Sequence, residues 1–436
     1  MTGRKSIMKA LLTFTCILIY AWATPSYAIL NVEITQGTED ALPIAIVPFY
    51  WDSKETAPDL SDFNVIASDL LRSGRFAPVP EDKLLSRPTS TENLDFSSWK
   101  VAGIDNLVIG SVRPAGNQQF AVKFQLFDVF KGEQLLGYSL TADASSLRYT
   151  AHHISDLIYQ QLTGQKGAFN TKVAYVTVIR DKDTASYKLE VSDTDGFNPV
   201  TILTSSQPVM SPSWSPDGSR LAYVSFEKRR AQIYTQILSS GERIKVSEFA
   251  GLNGAPVWSP DGKKLAMTLS KDGNADIYVL TLKDKSLQRM SKHWGIDTEP
   301  TWLPDSRSLV FTSNRSGKPQ LYKVDGPGAK PRRLTFEGSY NSSAEISKDG
   351  QKMAFVYKDK SAFKIATMDL ETGVIEVLTD GPLDESPSFA PNGSMILYAE
   401  GQRAALAAVS ADGRFKQRLV AKEGEVREPS WSPFLQ

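Results

Sequence analysis

From about residue 172 onward, short apolar runs alternate with polar turns, and the alternation repeats. Pro212-Ser213-Trp214-Ser215-Pro216-Asp217-Gly218 is followed by Leu221-Ala222-Tyr223-Val224. Residues 256–262 read Pro-Val-Trp-Ser-Pro-Asp-Gly, 300–306 Pro-Thr-Trp-Leu-Pro-Asp-Ser, 344–350 Ala-Glu-Ile-Ser-Lys-Asp-Gly and 387–393 Pro-Ser-Phe-Ala-Pro-Asn-Gly, each with an apolar run behind it. The positions equivalent to Trp214 are Trp258, Trp302, Ile346, Phe389 and Trp431, at spacings of 44, 44, 44, 43 and 42 residues. A period in the low forties with several short strands per unit predicts propeller blades.

The residue types explain the unit. An aromatic in a short extended run buries one face of a first strand. In Ser-Pro-Asp-Gly, Pro presets φ, Asp bonds back to its own backbone and Gly accepts positive φ. Leu-Ala-Tyr-Val then pairs back as a second strand. Third strands are predicted at 232–238, 276–282, 320–324, 364–370 and 406–409, and fourth strands near Ile244, Leu287, Arg333, Ile375 and Gln417. Residues 173–178 and 187–193 have second- and third-strand character with no first strand before them, whereas Pro429-Ser430-Trp431-Ser432-Pro433 is a first strand with no blade behind it. The C-terminal strand is therefore expected to complete the N-terminal blade, closing six blades over 172–436 without a long unpaired edge.

Upstream the period changes. Strands are predicted at 43–49, 106–112, 120–129 and 133–141. Helices are predicted at 61–72, with Phe63, Ile66, Leu70 and Leu71 inward and Ser61 as N-cap, and at 146–162, stopped by Gly164. The expected fold is an α/β N-terminal domain (43–164), a linker (165–171) and an all-β six-bladed β-propeller closed by the C-terminal strand. Residues 29–42 are polar and alternating, which suits an edge strand or a detachable peptide that joins a partner's sheet.

The first 28 residues are a secretion leader. Arg4, Lys5 and Lys9 precede an apolar run, and Ser26-Tyr27-Ala28 fits a cleavage site. The run is too short, and too soon followed by Pro25, to span a bilayer. Cys16, the one cysteine, lies inside it, so the expected mature chain is free of thiols. Lys plus Arg and Asp plus Glu number 49 each, which argues against nucleic acid as a partner.

Candidate chemistry is sparse. His152 and His153 are adjacent on the second predicted helix, point apart, and are expected at the surface; His293 falls between blades. There is no nucleophile elbow and no phosphate-binding glycine pattern, so no catalytic residue is assigned. Asp217, Asp261, Asp305, Asp349 and Asn392 each stand alone and are expected to make turns rather than calcium loops. The residues entering each first strand are expected to ring the channel mouth. Five before the aromatic stand Val209, Asn253, Asp297, Asn341, Asp384 and Val426; three before it stand Ser211, Ala255, Glu299, Ser343, Ser386 and Glu428. This small, polar and acidic ring suits a docking face. No cofactor is expected, although the carboxylates leave scope for a weakly held cation such as Ca2+ in the channel.

The order of domains, together with 43–49 (Pro-Ile-Ala-Ile-Val-Pro-Phe), Leu162-Thr163-Gly164, Thr298-Glu299-Pro300-Thr301-Trp302, Asp384-Glu385-Ser386-Pro387-Ser388, Asp412-Gly413-Arg414-Phe415-Lys416 and the terminal Trp431-Ser432-Pro433, resembles the TolB family of the Tol–Pal system over essentially the whole mature chain. The resemblance implies a periplasmic, non-enzymatic and monomeric adaptor. It implies that the propeller's channel face binds the lipoprotein Pal, here through Leu252, Asn253, Gly254, Ala255, Asp297, Thr298, Glu299, Asn341, Ser342, Ser343, Asp384 and Glu385. It implies that the mature N-terminus binds TolA, here through Ile29, Leu30, Asn31, Val32, Glu33 and Ile34. It further implies support of outer-membrane invagination in cell division, outer-membrane integrity, and use of the channel by bacteriocins. The family tends to carry His where this chain has Leu252. On this reading the terminus switches between lying on its own domain and adding to a partner's sheet. An exported hydrolase and a small-ligand-binding propeller are the rival readings.

Overall fold

The computed structural model of the chain describes residues 30–37, 40–182, 184–421 and 424–435. The expected leader (1–28) and Ile29 lie outside the described residues.

The α/β unit is built on one sheet. Its strands are β2 (Leu42–Ile46), β3 (Tyr50–Trp51), β4 (Phe76–Pro78), β5 (Asn106–Gly116), β6 (Gln119–Asp128) and β7 (Glu133–Asp143), in the order β4-β2-β5-β6-β7 with β3 beside the end of β5. Val108, Val112, Val122, Phe124 and Leu126 alternate along β5 and β6 and pack against helix α1 (Val65–Arg72) and helix α3 (Leu147–Thr163). A short helix α2 (Phe96–Val101) covers part of the other face through Trp99, which is 1% exposed. Two expectations change here. Residues Ser61–Asn64 form a 3-10 turn before α1, so Ser61 caps nothing, and its amide instead donates to Asp59. Leu71 faces solvent.

Six sheets follow as blades, five of them four-stranded and the last five-stranded. Blade 1 is Val200–Ser205, Thr184–Asp193, Lys172–Asp181 and the closing strand Glu425–Trp431; blades 2 to 6 begin at Val209–Trp214, Asn253–Trp258, Asp297–Trp302, Tyr340–Ile346 and Asp384–Phe389. The C-terminal strand does complete the N-terminal blade: Glu425 pairs with Val178 and Trp431 with Val173.

The repeat's residues cement blade to blade. Trp214 Nε1 donates to the Ser430 carbonyl of blade 1, and Trp302 Nε1 to the Val257 carbonyl of blade 3. An indole therefore supplies both apolar area and a cross-blade hydrogen bond. Tyr175, Tyr223, Met267, Phe311, Phe355 and Leu397 occupy one column of the second strands and are all 2% exposed or less. Each contributes about 1.5–3 kcal/mol of burial. In the turns, Asp217 accepts from Ser215 Oγ and the Ser219 amide, and Gly218 sits at φ 70°. Asp261, Asp305, Asp349 and Asn392 accept in the same way, so these side chains are consumed by turns.

The segment 165–171 is packed rather than loose. Phe169 enters the α/β core, Ala168 enters the blade 1–6 cluster, and Asp156 accepts the Phe169 amide. His152 is also not at the surface. It is 3% exposed, its Nδ1 lies 2.7 Å from Asp69, and it sits where α1 and α3 meet the blade 1 turn. Burial works against its charge, but Asp69 and Asp195 outweigh burial and hold its pKa above the ordinary value. Ligand atoms of His152, Asp193 and Asp195 lie within 4.8 Å of one another. Arg148 takes Asp195, Lys172 takes Asp193, and Arg72 bridges Asp69 and Thr194, so cations already occupy the places around the carboxylates. The cluster is an interdomain ion-pair latch.

The N-terminal strand is an edge strand, but of the propeller rather than of the domain it precedes. β1 (Leu30–Gln36) does not lie on its own domain. It adds antiparallel to Lys416–Ala421 as the fifth, outermost strand of blade 6, with Glu33 opposite Arg418.

Candidate functional site

Every first strand carries the same irregularity. The residue three before the aromatic has positive φ in all six blades: Ser211 52°, Ala255 45°, Glu299 53°, Ser343 52°, Ser386 52° and Glu428 49°. Each coincides with a register shift in the ladder to the second strand. These are β-bulges, which re-aim side chains, and all six residues line the central channel, a cavity of about 650 Å³. In two blades the bulge amide is answered by a neighbour's carboxylate: Ser343 N donates to Glu299 at 2.9 Å, and Ser211 N donates to Glu428.

The channel is acidic. Its described lining includes Glu299, Glu345, Glu385 and Glu428 and no Lys, Arg or His. Burial pushes the Glu345 carboxyl up to about 8, in spite of bonds from Ser388 and the Phe389 amide, so it holds its proton at neutral pH. Burial also raises Glu428, against the pull of the Ser211 amide.

The candidate docking residues fall into three groups. Ser211, Ala255, Glu299, Ser343, Ser386 and Glu428 line the channel; Thr298 is half-buried beside it and Glu385 is open to solvent. Leu252 is exposed at the mouth, and Gly254 is half-buried. Ser342 is 4% exposed but lines the channel beside Ser343. Asn253, Asp297, Asn341 and Asp384, by contrast, are 0–1% exposed and do not line it. Asn253 Nδ2 donates to the Phe249 and Gly251 carbonyls while its Oδ1 accepts from the Phe249 amide, and Asn341 Nδ2 donates to the Glu337 carbonyl. Asp297 is held by Arg315 at 2.7 Å. This column fixes the shape of the loops that enter the first strands.

Those loops carry residues that the repeat pattern did not single out. Trp294 is 76% exposed, Phe336 73% and Ile296 52%. With Leu252, Met210 and Leu383, also exposed, they stand on the segments that enter the first strands, at the mouth end of the blades, as an apolar rim. The α/β domain grips the opposite end of the blades, at turns such as those of Asp195 and Asn392, and leaves this rim uncovered. The loop of Trp294 is rigid: Asn274 Nδ2 donates to the carbonyls of His293 and Gly295, both at 2.7 Å, and Asn314 Oδ1 accepts the Ile296 amide. A large exposed aromatic on a loop so held loses little freedom on meeting a partner.

Asp384 is the weak member of the buried column. Its oxygens are buried, and of the described residues only the Thr379 hydroxyl approaches them as a donor. Burial, with Glu400 and Asp380 nearby, pushes it up to about 6 from 3.8. Its raised pKa means that the stability it lends is full below about pH 4 and lost as pH rises through about 6. Asp384→Asn is expected to stabilise the protein by about 2 kcal/mol at pH 7.5, because an amide there can donate to the carbonyl four residues back, as Asn253 and Asn341 do. Urea unfolding at pH 7.5 and pH 4 checks it: the gain should shrink at the lower pH, and equal stability of both forms at pH 7.5 would refute it.

Residues 30–135 match the TolB amino-terminal domain family, and residues 159–435 match the TolB beta propeller domain family. Proteins named Tol-Pal system protein TolB are similar across nearly all of this chain. That of Thioalkalivibrio sulfidiphilus is 54% identical over 432 residues, 98% of each chain, and that of Nitrosococcus oceani is 55% identical over 421 residues, 96% of each. The crystal structure of TolB from Acinetobacter baumannii superposes with a TM-score of 0.86 at 42% identity, covering 93% of this chain and all of that one. The chain belongs to the TolB family of Tol-Pal system proteins.

Proposed function

We propose that this protein is a periplasmic, non-enzymatic adaptor of the Tol–Pal system, which binds Pal at the propeller mouth and TolA through its N-terminal strand. In this role it supports outer-membrane invagination in cell division and outer-membrane integrity, and its mouth offers bacteriocins a way in. The observation that carries the reading is the uncovered apolar rim of Trp294, Ile296 and Phe336 on rigid loops around an acidic channel. An aromatic ring around a polar centre suits a folded partner that inserts a polar loop and packs apolar residues outside it. Calorimetric titration of the chain from residue 29 with the soluble domain of Pal tests it. Saturable one-to-one binding is expected; no binding by folded protein would remove the central claim.

The second arm rests on how β1 is held. It is paired along six residue positions with blade 6, yet the described side chains 33–37 are all exposed. Backbone hydrogen bonds contribute about 0.5–1.5 kcal/mol each net, and little burial adds to them. Such a strand can leave one sheet edge for another. Deleting residues 29–36 is expected to abolish TolA binding while moving Tm by less than about 3 °C. TolA binding that survives the deletion sinks this arm and leaves the Pal arm standing.

A further inference from the structure

The α/β domain has a second concave surface, remote in composition from the apolar propeller rim. On the sheet face that α2 covers, Trp99, Ile104, Ile109 and Phe127 pack together, but the cover stops there. Beyond it the register sets Ser111, Lys123 and Ser139 side by side across β5, β6 and β7. Arg113 stands one pleat further along, opposite Ala121 and thus diagonal to Lys123. The segment carrying Thr89, Ser90 and Thr91 makes one wall, Tyr50 and Asp52 another, and together they enclose a recess of about 300 Å³.

A polar sheet face open to water needs no ligand by itself. The charge pattern is what asks for one. Diagonal cross-strand neighbours lie about 7–8 Å apart, and like charges so placed repel. Neither Arg113 nor Lys123 has a carboxylate at salt-bridge distance among the described residues, and the lining's one carboxylate, Asp52, is engaged with Tyr50. An oxyanion seated between them turns that repulsion into two charge-assisted contacts, one of them to a guanidinium fork. The rest of the lining is mostly hydroxyl groups, which pair with a ligand's hydroxyls as well as with water. The volume stands at the lower end of small-molecule sites and suits a single sugar ring.

We propose that this recess binds a small saccharide carrying one oxyanion, a sugar phosphate or a sugar acid, with Arg113 and Lys123 on the anion and Ser111, Ser139 and Thr91 on the ring hydroxyls. Ligand-observed NMR titration of the folded chain with glucose 6-phosphate, glucuronate, glucose and inorganic phosphate tests it. At least one anionic sugar is expected to bind saturably, about tenfold or more tighter than glucose or phosphate alone. Whether the phosphate or the acid is preferred identifies the source. The double variant R113Q/K123Q, whose two side chains are exposed, should unfold at the parent temperature and lose about tenfold or more in affinity. No saturable binding, binding unchanged in the double variant, or phosphate binding as tightly as glucose 6-phosphate would each overturn the proposal.

Discussion

A chain ending at residue 424 is expected not to form a cooperative propeller. The missing segment is short, but it holds the ring at several points. Val426 is 1% exposed in the blade 1–6 cluster, Trp431 Nε1 donates to Thr171, and the Trp431 amide donates to Ser388 of blade 6. From the other side, Trp214 and the Ser211 amide of blade 2 both bond to this strand. Its removal strips blade 1 of these bonds to blades 2 and 6, and bares the edge of Lys172–Asp181 from Val173 to Val178. An apolar edge of that length invites aggregation. A loss spread over two interfaces reaches the whole stability of an ordinary domain, about 5–15 kcal/mol. Size-exclusion chromatography with thermal circular dichroism decides the matter: the truncated chain should aggregate or melt without a sharp transition. If it remains monomeric with Tm within a few degrees of the parent, the ring is not held by its closure.

The same contacts show what could be read from the sequence. Six aromatic or apolar positions at a nearly constant period specify an inter-blade column, because each must fill the same gap between neighbouring sheets. Ile346 keeps its place in a degenerate copy, since its turn still has Ser347, Asp349 and Gly350 to close it. Function was less legible. Asn253, Asp297, Asn341 and Asp384 look like rim residues, because a polar side chain entering a strand reads alike whether it meets water or caps a buried loop. Only the surrounding carbonyls and amides distinguish the two cases. His152 looked exposed for a related reason: its partner Asp69 is 83 residues away, on another helix. Trp294 and Phe336 belong to no column of the repeat. The available signal was an aromatic isolated among polar residues, in Lys292-His293-Trp294-Gly295 and Thr335-Phe336-Glu337-Gly338. Leu252, 41% exposed on the loop before its own first strand, is a further apolar residue of this kind.

The double substitution W294A/F336A is expected to weaken Pal binding by about a thousandfold while leaving the fold intact. Both side chains are about three-quarters exposed in the free protein, so their removal costs little folding energy. Their loops are held by Asn274, Asn314 and Asn341, none of which is altered. Large aromatics that become fully buried in an interface cost about 2 kcal/mol or more each when truncated. Two of them together amount to about 4 kcal/mol, and each 1.4 kcal/mol is a factor of ten. The effect should fall mainly on the dissociation rate, because the charge that steers encounter, on Glu299, Glu385 and Glu428, is untouched. Replacing Glu385 with Gln should do the reverse: a small change in affinity, carried by the association rate and erased by salt. Surface plasmon resonance against the Pal domain at low and at high salt separates the two. A double variant that binds within about threefold of the parent would mean that the rim is not where Pal docks, and would turn attention to the channel wall alone.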